Sequence, residues 1–359
     1  MNNSPLNQLE TKNINDGKKV SDKSVASAVV IAVCIIIAAV SLISGFYIFL
    51  RTYNKYIFKY TPGEDGATCQ IISVEKRGIA TDIYFPSSLE IPEAIGGLTV
   101  TGIADDAASG LTGLKNLALP SGIAFIGKEA FASCTSLEKA VLPDGLETIG
   151  EGAFKDCVSL ETIVLGGNIK IIEKSAFEGC ASLSSVKLPE SLDSIGARTF
   201  YGCASLAEIN LSPALTAIPE EAFWGCTSLK SLDITESISS IGEYSFWGCE
   251  SLSAINLTYA EEIGKYAFRK CTALKSVTLS AKLTYLPNGT FSECTALEKV
   301  VLPSSLLGIG ERAFEKCSKL TSLTYSGTKA EWENVVLERY WNINSAVAEI
   351  SCSNGKITY

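Results

Sequence analysis

A unit of about 23 residues recurs through most of the chain and constrains its fold more than any other feature. Its skeleton, L-P-x-x-L-x-x-I-G-x-x-A-F-x-x-C-x-x-L-x-x-I-x-L, is clearest in residues 142–165. The anchor phenylalanines stand 23 residues apart, with one interval of 22, and each has a cysteine three residues later. The anchors are Phe131, Phe154, Phe177, Phe200, Phe223, Phe246, Phe268, Phe291 and Phe314. A degenerate earlier copy has Ala108 at the anchor position.

A fixed period of this length predicts a stack of coils. Self-similarity every 20–29 residues with an L-x-x-L-x-L run is the signature of leucine-rich repeats. One coil cannot bury its apolar side alone, so neighbouring coils share one core. We therefore predict a leucine-rich-repeat solenoid of about ten coils, each with a β-strand plus a turn or short helix. Equal positions in successive coils should stack, so the phenylalanines and cysteines should form two internal columns.

The repeat resembles the BspA-like leucine-rich-repeat family, and the resemblance covers about residues 98–325. The tail after Tyr325, with Trp332 and Trp341, is similar to the closing segment of that family. Three positions lack the glycine that usually follows the isoleucine: Glu173, Pro219 and Pro287. We expect these departures to affect turns more than the fold. The resemblance implies a bacterial or protist protein, on the surface or secreted, that binds host or matrix proteins.

The segment before the repeats has its own composition. Residues 1–24 are polar, which predicts a disordered tail. Residues 25–50 contain no charge, and a helix of that length exceeds the ~30 Å hydrocarbon core of a bilayer. We predict a transmembrane helix that acts as an uncleaved signal anchor. A cleaved signal peptide and a buried soluble helix are the alternatives.

The orientation of this predicted anchor rests on its flanking charges. Four lysines precede the uncharged run and three basic residues follow it closely, which is a small positive-inside difference. The resemblance implies the same orientation, with the N-terminus inside. We expect a single-pass protein of the cell membrane with extracellular repeats, and repeats on the cytoplasmic side are the alternative.

Both ends of the solenoid need a cap, because an open coil exposes core and sheet edge. Strands predicted at Cys69–Val74 and Ile83–Phe85 would cover the first coil. A helix predicted over Thr328–Glu338 and a hairpin around the Asn-Gly pair before Lys356 would cover the last. The predicted divisions are a tail (1–24), a transmembrane helix (25–50), a linker (51–66), an N-terminal cap (67–97), repeats (98–325) and a C-terminal cap (326–359).

The composition argues against nucleic-acid binding and against catalysis. The chain has 30 basic and 39 acidic residues, and seven of the basic but three of the acidic lie in residues 1–59. The remainder is therefore acidic, whereas phosphate binding requires lysine and arginine. The absence of histidine removes Ser-His and Cys-His pairs and all His-ligated metal sites. We expect no enzyme, no cofactor, no metal site and no nucleic-acid partner.

The nine repeat cysteines are predicted to be buried free thiols. They show no C-x-x-C spacing, and stacked positions have parallel Cβ directions that do not suit a disulfide. A free cysteine behaves as a small hydrophobic residue. On that basis Cys203→Ser should destabilise the fold, since it buries a hydroxyl with no evident partner.

Two surfaces vary from coil to coil and are candidates for ligand binding. The outer face of the strands has small and polar side chains without an aromatic anchor, which interface hot spots favour. The position after the anchor phenylalanine holds Tyr201, Trp224, Trp247 and Arg269 in four consecutive coils. These residues either cover their own turns or form an exposed strip that binds a ligand. In the second case Trp224 should be the strongest contact, and its truncation should leave stability nearly unchanged.

Three hypotheses for the function follow. The first is a monomeric, membrane-anchored surface adhesin that binds a protein ligand. The second is a carbohydrate-binding surface module, which requires the aromatic strip. The third is a structural or regulatory scaffold with its repeats in the cytoplasm.

Overall fold

The computed structural model describes residues 51–53, 56–76 and 87–358. The predicted tail and transmembrane segment, residues 1–50, and the predicted strand Ile83–Phe85 lie outside these residues. None of the helices formed by the described residues is long and apolar enough to cross a membrane. The strands in chain order are β1 (Arg51–Tyr53), β2 (Tyr56–Pro62), β3 (Thr68–Lys76), β4 (Ser88–Glu90), β5 (Ala94–Ile95), β6 (Leu98–Ile103), β7 (Asn116–Ala118), β8 (Phe125–Ile126), β9 (Lys139–Val141), β10 (Thr148–Ile149), β11 (Thr162–Val164), β12 (Ile171–Ile172), β13 (Ser185–Lys187), β14 (Ser194–Ile195), β15 (Glu208–Asn210), β16 (Ala217–Ile218), β17 (Ser231–Leu232), β18 (Ser240–Ile241), β19 (Ala254–Ile255), β20 (Glu262–Ile263), β21 (Ser276–Thr278), β22 (Tyr285–Leu286), β23 (Lys299–Leu302), β24 (Gly308–Ile309), β25 (Ser322–Tyr325), β26 (Val336–Leu337), β27 (Glu349–Cys352) and β28 (Gly355–Thr358).

The repeat strands form two parallel ladders. The even-numbered strands from β6 to β26 follow one another in the first ladder. The odd-numbered strands from β7 to β27, preceded by β4, follow one another in the second, which is interrupted between β15 and β17 and between β19 and β21. Pairing follows the sequence period, so that Thr148 lies opposite Ile171 in the next coil. The described residues make a β-solenoid of about 11 turns. The sequence predicted about ten coils, because β26 completes a further turn without the repeat motif.

The anchor phenylalanines form an internal column, as the repeat predicts. Every one of these rings is fully buried. Successive ring centroids lie 5.2–5.8 Å apart, and successive planes are within 13° of parallel. Burial of each ring contributes about 1.5–3 kcal/mol to stability. The column therefore ties each coil to both neighbours.

The repeat cysteines form a second internal column of free thiols, which confirms their predicted burial. Each thiol donates a hydrogen bond to the carbonyl of the anchor position in the preceding coil, with Sγ to O distances of 3.1–3.3 Å. Cys203 Sγ, for example, lies 3.2 Å from Phe177 O. The sequence did not reveal this partner. Burial raises the pKa of Cys180, Cys203 and Cys226 well above the usual value, so these thiols stay protonated.

The turn around each anchor forms a third set of coil-to-coil hydrogen bonds, here called the turn ladder. The residues two before and two after the anchor have positive φ, as in Arg198 (60°) and Gly202 (71°) around Phe200. This conformation directs alternate N–H groups toward the next coil. Phe200 N donates to Ala222 O at 2.9 Å, and Gly202 N donates to Trp224 O at 2.7 Å. Side chains of the turn consequently lie one above another in successive coils.

Two prolines interrupt the first ladder. In a regular coil the N–H after the isoleucine donates to the preceding coil, as Gly196 N does to Ile172 O at 2.8 Å. Pro219 and Pro287 occupy this position and have no N–H to donate. The first ladder is interrupted between β14 and β16 and again between β20 and β22. Glu173, the third residue that replaces the usual glycine, still donates its backbone N–H to Ile149 O. Only the two prolines therefore remove this hydrogen bond.

The N-terminal cap begins earlier than the sequence predicted. β2 pairs antiparallel with β1 and β3, and β3 continues the first ladder through β6. The predicted linker at 51–66 is therefore wrong for Arg51–Tyr53 and Tyr56–Pro62, which are strands. The physical reason is burial, because Phe58 and Tyr60 of β2 are 1% and 5% exposed and extend the core.

The C-terminal cap combines a short helix with a hairpin. The predicted helix over Thr328–Glu338 is only α1 (Lys329–Trp332), which Thr328 and Glu331 cap reciprocally. The chain then turns into β26 instead of continuing the helix. The predicted Asn-Gly hairpin is present, with β28 antiparallel to β27.

Candidate functional site

The turn ladder brings the four residues predicted from the position after the anchor into contact. Tyr201, Trp224, Trp247 and Arg269 are all partly buried, so they are neither a fully exposed strip nor part of the core. The rings of Tyr201 and Trp224 stack with centroids 5.6 Å apart and planes at 23°. Trp247 meets Trp224 edge to face. The guanidinium of Arg269 lies 5.6 Å from the Trp247 ring centroid.

Two tyrosines that sequence reasoning missed belong to the same surface. Tyr244 and Tyr266 stand two residues before their anchors, in the left-handed conformation with φ of 54° and 57°. Their rings stack at 5.3 Å with planes 7° apart. The Tyr244 centroid is 5.4 Å from that of Trp224 and 5.9 Å from that of Trp247. We call these five side chains, Tyr201, Trp224, Tyr244, Trp247 and Tyr266, the aromatic cluster.

An arginine held by two glutamates bounds the aromatic cluster on the side of the earlier coils. The guanidinium of Arg198 lies 3.9 Å from the Tyr201 ring centroid and pairs with Glu178, at 3.1 Å, and with Glu221. Burial alone would raise the pKa of the Glu178 carboxyl, but hydrogen bonds from Arg198 and Ser175 hold it at about 2. The Glu178 carboxylate therefore stays charged in the pair.

On the side of the later coils the cluster is bounded by basic residues. Arg269 Nη2 lies 2.6 Å from Glu293 Oε1, so the guanidinium predicted to contact a ligand already has an internal partner. Lys270 Nζ lies 5.7 Å from the Trp247 ring centroid. Arg269 therefore lies beside the rings of Trp247 and Tyr266 with its charge already paired to Glu293.

Several polar groups around the aromatic cluster lack partners among the described residues. The carboxylates of Glu220 and Glu243 form no ion pair there, although many other glutamates do. Trp247 Nε1 is buried and has no hydrogen-bond acceptor in the described part of the chain. Burial and the neighbouring charge of Glu243 raise the pKa of Tyr244, so its hydroxyl stays neutral.

Other apolar side chains of the described residues are more exposed than those of the aromatic cluster, and five of them lie in strands: Val141, Val164, Ile171, Tyr285 and Val336. Val141 and Val164 pair on the second ladder and are 37% and 47% exposed. Leu307 and Val336 are exposed near the end of the first ladder, beside Tyr285. The Tyr285 hydroxyl donates to Glu338, and burial together with this bond raises its pKa to about 12. These faces combine small polar side chains with small groups of exposed apolar ones.

Comparison with known proteins agrees with the repeat. The profile of the BspA type leucine-rich repeat region matches residues 101–230 and 216–344. No curated protein matched the chain. The repeat families of this kind typically serve as non-enzymatic scaffolds, and the match indicates a repeat protein for protein interaction.

Solved structures of bacterial leucine-rich-repeat proteins are also similar. A protein from T. pallidum is 32% identical, over 54% of this chain and 87% of that one, with a TM-score of 0.49. A protein from Bacteroides ovatus is 22% identical, over 83% and 90%, with a TM-score of 0.54. The pneumococcal vaccine antigen PcpA is 20% identical, over 86% and 88%, with a TM-score of 0.52. With the family profile spanning most of the chain, the resemblance seen in the repeats is confirmed, and the chain belongs to the BspA-type leucine-rich-repeat family.

Proposed function

We propose that this chain is a membrane-anchored cell-surface protein that binds a protein ligand through its aromatic cluster. The observation that carries the proposal is the contiguity of five partly exposed aromatic side chains across four coils. Tryptophan, tyrosine and arginine are the residues that dominate protein interfaces. Among the described residues, no strand face carries a comparable group of aromatic side chains.

The orientation of the rings supports a protein ligand over a carbohydrate. A sugar stacks on the open face of an aromatic ring. In the aromatic cluster Tyr201 has Trp224 on one side and the Arg198 guanidinium over its ring, and Tyr244 stacks on Tyr266. The cluster therefore offers mainly ring edges and hydroxyl groups to a ligand, which suit the mixed polar and apolar surface of a protein.

A binding screen tests the choice of ligand. The full chain would be assayed against purified host matrix proteins and against a glycan panel. Trp224→Ala should weaken binding to the captured protein at least tenfold, since truncating a central anchor commonly costs about 2 kcal/mol or more. Tyr259→Ala is the matched control, because Tyr259 is 43% exposed and lies outside the cluster. Binding that is confined to glycans, or that is insensitive to Trp224→Ala, would contradict the proposal.

Stability must be measured beside affinity. From the sequence alone we expected Trp224→Ala to leave stability nearly unchanged. The contacts of Trp224 with Tyr201, Tyr244 and Trp247 make some loss necessary, since aromatic pairs contribute about 0.5–1.5 kcal/mol each. Affinity loss therefore counts only where the variant is folded at the assay temperature.

The location at the cell surface rests on separate support. Residues 25–50 contain no charge and suffice for a transmembrane helix, and surface exposure is the habit that the family resemblance implies. Protease added to intact cells should remove the repeats, while a cytoplasmic marker protein stays whole. Protection of the repeats in that assay would favour the cytoplasmic scaffold, and recovery of uncleaved chain in the soluble fraction would exclude the anchor.

A further inference from the structure

Both strand ladders lose their pairing at one boundary between coils, here called the central junction. It separates the coil of β14 and β15 from the coil of β16 and β17. The first ladder is interrupted there between β14 and β16, and the second between β15 and β17. The later interruptions are staggered, because the second ladder stops after β19 while the first continues to β20 and stops before β22. Among the described coils, the central junction is therefore the one boundary that neither ladder crosses.

Pro219 accounts for the loss of pairing in the first ladder. It follows the inward isoleucine of β16, and one coil earlier Gly196 N donates from this position to Ile172 O at 2.8 Å. Glu173 holds the same position and donates to Ile149 O at 2.9 Å, so the bond does not require glycine. Proline cannot make the bond, because it has no N–H.

Hydrogen bonds remain across the central junction on two opposite sides of the coil. On one side the turn ladder continues, with Gly202 N bonded to Trp224 O at 2.7 Å. On the other side is the corner where the chain passes from the second ladder back to the first, and there Ser212 Oγ donates to Glu190 O at 3.1 Å. The chain order places one strand ladder on each side of the line that joins the turn ladder to this corner.

The core keeps the two coils in contact at the central junction. The rings of Phe200 and Phe223 stack across it with centroids 5.6 Å apart, the same distance as between Phe177 and Phe200 one coil earlier. At the start of β17, one backbone bond remains, from Lys230 N to Ala207 O at 3.4 Å. The coils therefore stay packed together, and a tilt between them breaks few hydrogen bonds.

We infer that the central junction is a hinge, at which the two parts of the solenoid rock about the line that joins the turn ladder to the opposite corner. Rocking in one direction separates β14 from β16 and brings β15 toward β17, and rocking in the other direction does the reverse. Each coil of a solenoid contacts only its neighbours, so one weak boundary bends by itself. The solenoid thereby curves toward either strand face, while the turn ladder and the aromatic cluster keep their spacing.

Distances between two copper labels measure this movement. The chain has no histidine, so two histidines at alternate exposed residues of a strand create a unique Cu²⁺ site. One pair of sites, on β9 and β19, crosses the central junction, and a control pair, on β4 and β15, does not. Each pair spans five strand spacings, or ~24 Å, and double electron–electron resonance on the full chain gives its distance distribution. The crossing pair uses Lys139→His with Val141→His and Ala254→His with Asn256→His, and the control pair uses Ser88→His with Glu90→His and Glu208→His with Asn210→His.

The distribution that crosses the central junction should be roughly twice as wide as the control distribution, because local stability differs along the solenoid. Pro219→Glu supplies an N–H where Glu173 already makes its bond, so it should narrow the crossing distribution toward the control width. Pro287→Glu is the matched control, because it makes the same change outside the labelled span and should leave the width unchanged. Equal widths for the two unsubstituted pairs would overturn the hinge, as would a crossing distribution that Pro219→Glu leaves wide or that Pro287→Glu narrows equally.

Discussion

Each repeat cysteine donates a hydrogen bond to the preceding coil, which raises the question of how the thiol stabilises the fold. Cys203 is fully buried, and its Sγ donates to Phe177 O at 3.2 Å. The same carbonyl accepts the N–H of Cys180 at 3.2 Å, so it keeps one partner if the thiol is removed. The thiol is either a donor that links two coils or only an apolar filler, and two substitutions distinguish these roles.

The expected magnitudes follow from the groups that each substitution removes. Cys203→Ala deletes a buried group of about methylene size, worth about 0.8 kcal/mol, and a hydrogen bond worth roughly 0.5–1.5 kcal/mol. The two terms add to a loss of roughly 1.3–2.3 kcal/mol. Cys203→Ser keeps a donor facing Phe177 O and should cost about 1 kcal/mol. A pure filler would give the opposite order, since a buried hydroxyl without a partner costs about 1–3 kcal/mol.

Equilibrium unfolding in urea measures this order. Because long repeat arrays do not always unfold in two states, amide exchange around Cys203 should accompany the urea curves. Cys226, whose Sγ lies 3.2 Å from Phe200 O, allows the same pair of substitutions in the next coil as a replicate. If serine is less stable than alanine at both positions, the thiol acts as a filler and the reasoning from the hydrogen bond is refuted.

Three further predictions concern coil contact, acid stability and thiol reactivity. Gly242→Ala should cost about 1–3 kcal/mol in urea unfolding, because its Cβ would lie 2.5 Å from the backbone of the preceding coil, whereas Gly167→Ala has room and should be near neutral. Since the pKa of Glu178 falls from 4.5 to about 2 beside Arg198, the stability it contributes is present above pH 4.5 and lost as the pH falls toward 2. Glu178→Gln should flatten that part of the stability curve, and an unchanged slope would contradict the assignment. Mass spectrometry after alkylation of native protein should find the partly exposed Cys352 modified before the other cysteines of the described residues, and the repeat thiols modified only after denaturation.

The sequence predicted those features that depend on the period alone. A fixed interval forces equal positions to stack, so the buried columns of phenylalanine and cysteine followed directly. The extra strands of the caps could not be inferred this way, because they lie outside the repeat. The aromatic residues at every second position, Tyr56, Phe58 and Tyr60, indicate the strand β2. The turn residues that begin at Thr61 instead favoured a linker.

The aromatic cluster was only partly visible for a related reason. The position after the anchor phenylalanine predicts Tyr201, Trp224 and Trp247. Tyr244 and Tyr266 stand two residues before their anchors and were therefore missed. The two positions converge because residues on either side of the anchor adopt positive φ, which a bulky side chain adopts only where its surroundings require it. A tyrosine at a position that elsewhere holds glycine, serine, glutamate or arginine was the signal that pointed to it.

The position of the aromatic cluster on the turn ladder explains how the surface tolerates the two prolines. Pro219 and Pro287 each remove a hydrogen bond from the first ladder, on either side of the coils that carry most of the cluster. The turn ladder continues across both boundaries, through Gly202 N to Trp224 O at 2.7 Å and through Phe268 N to Thr290 O at 2.9 Å. The spacing of the rings is therefore fixed by an uninterrupted set of bonds even where the strands lose theirs. A ligand that contacts several coils at once needs a constant spacing between them. In these coils the turn ladder maintains that spacing, whereas the strand ladders are interrupted.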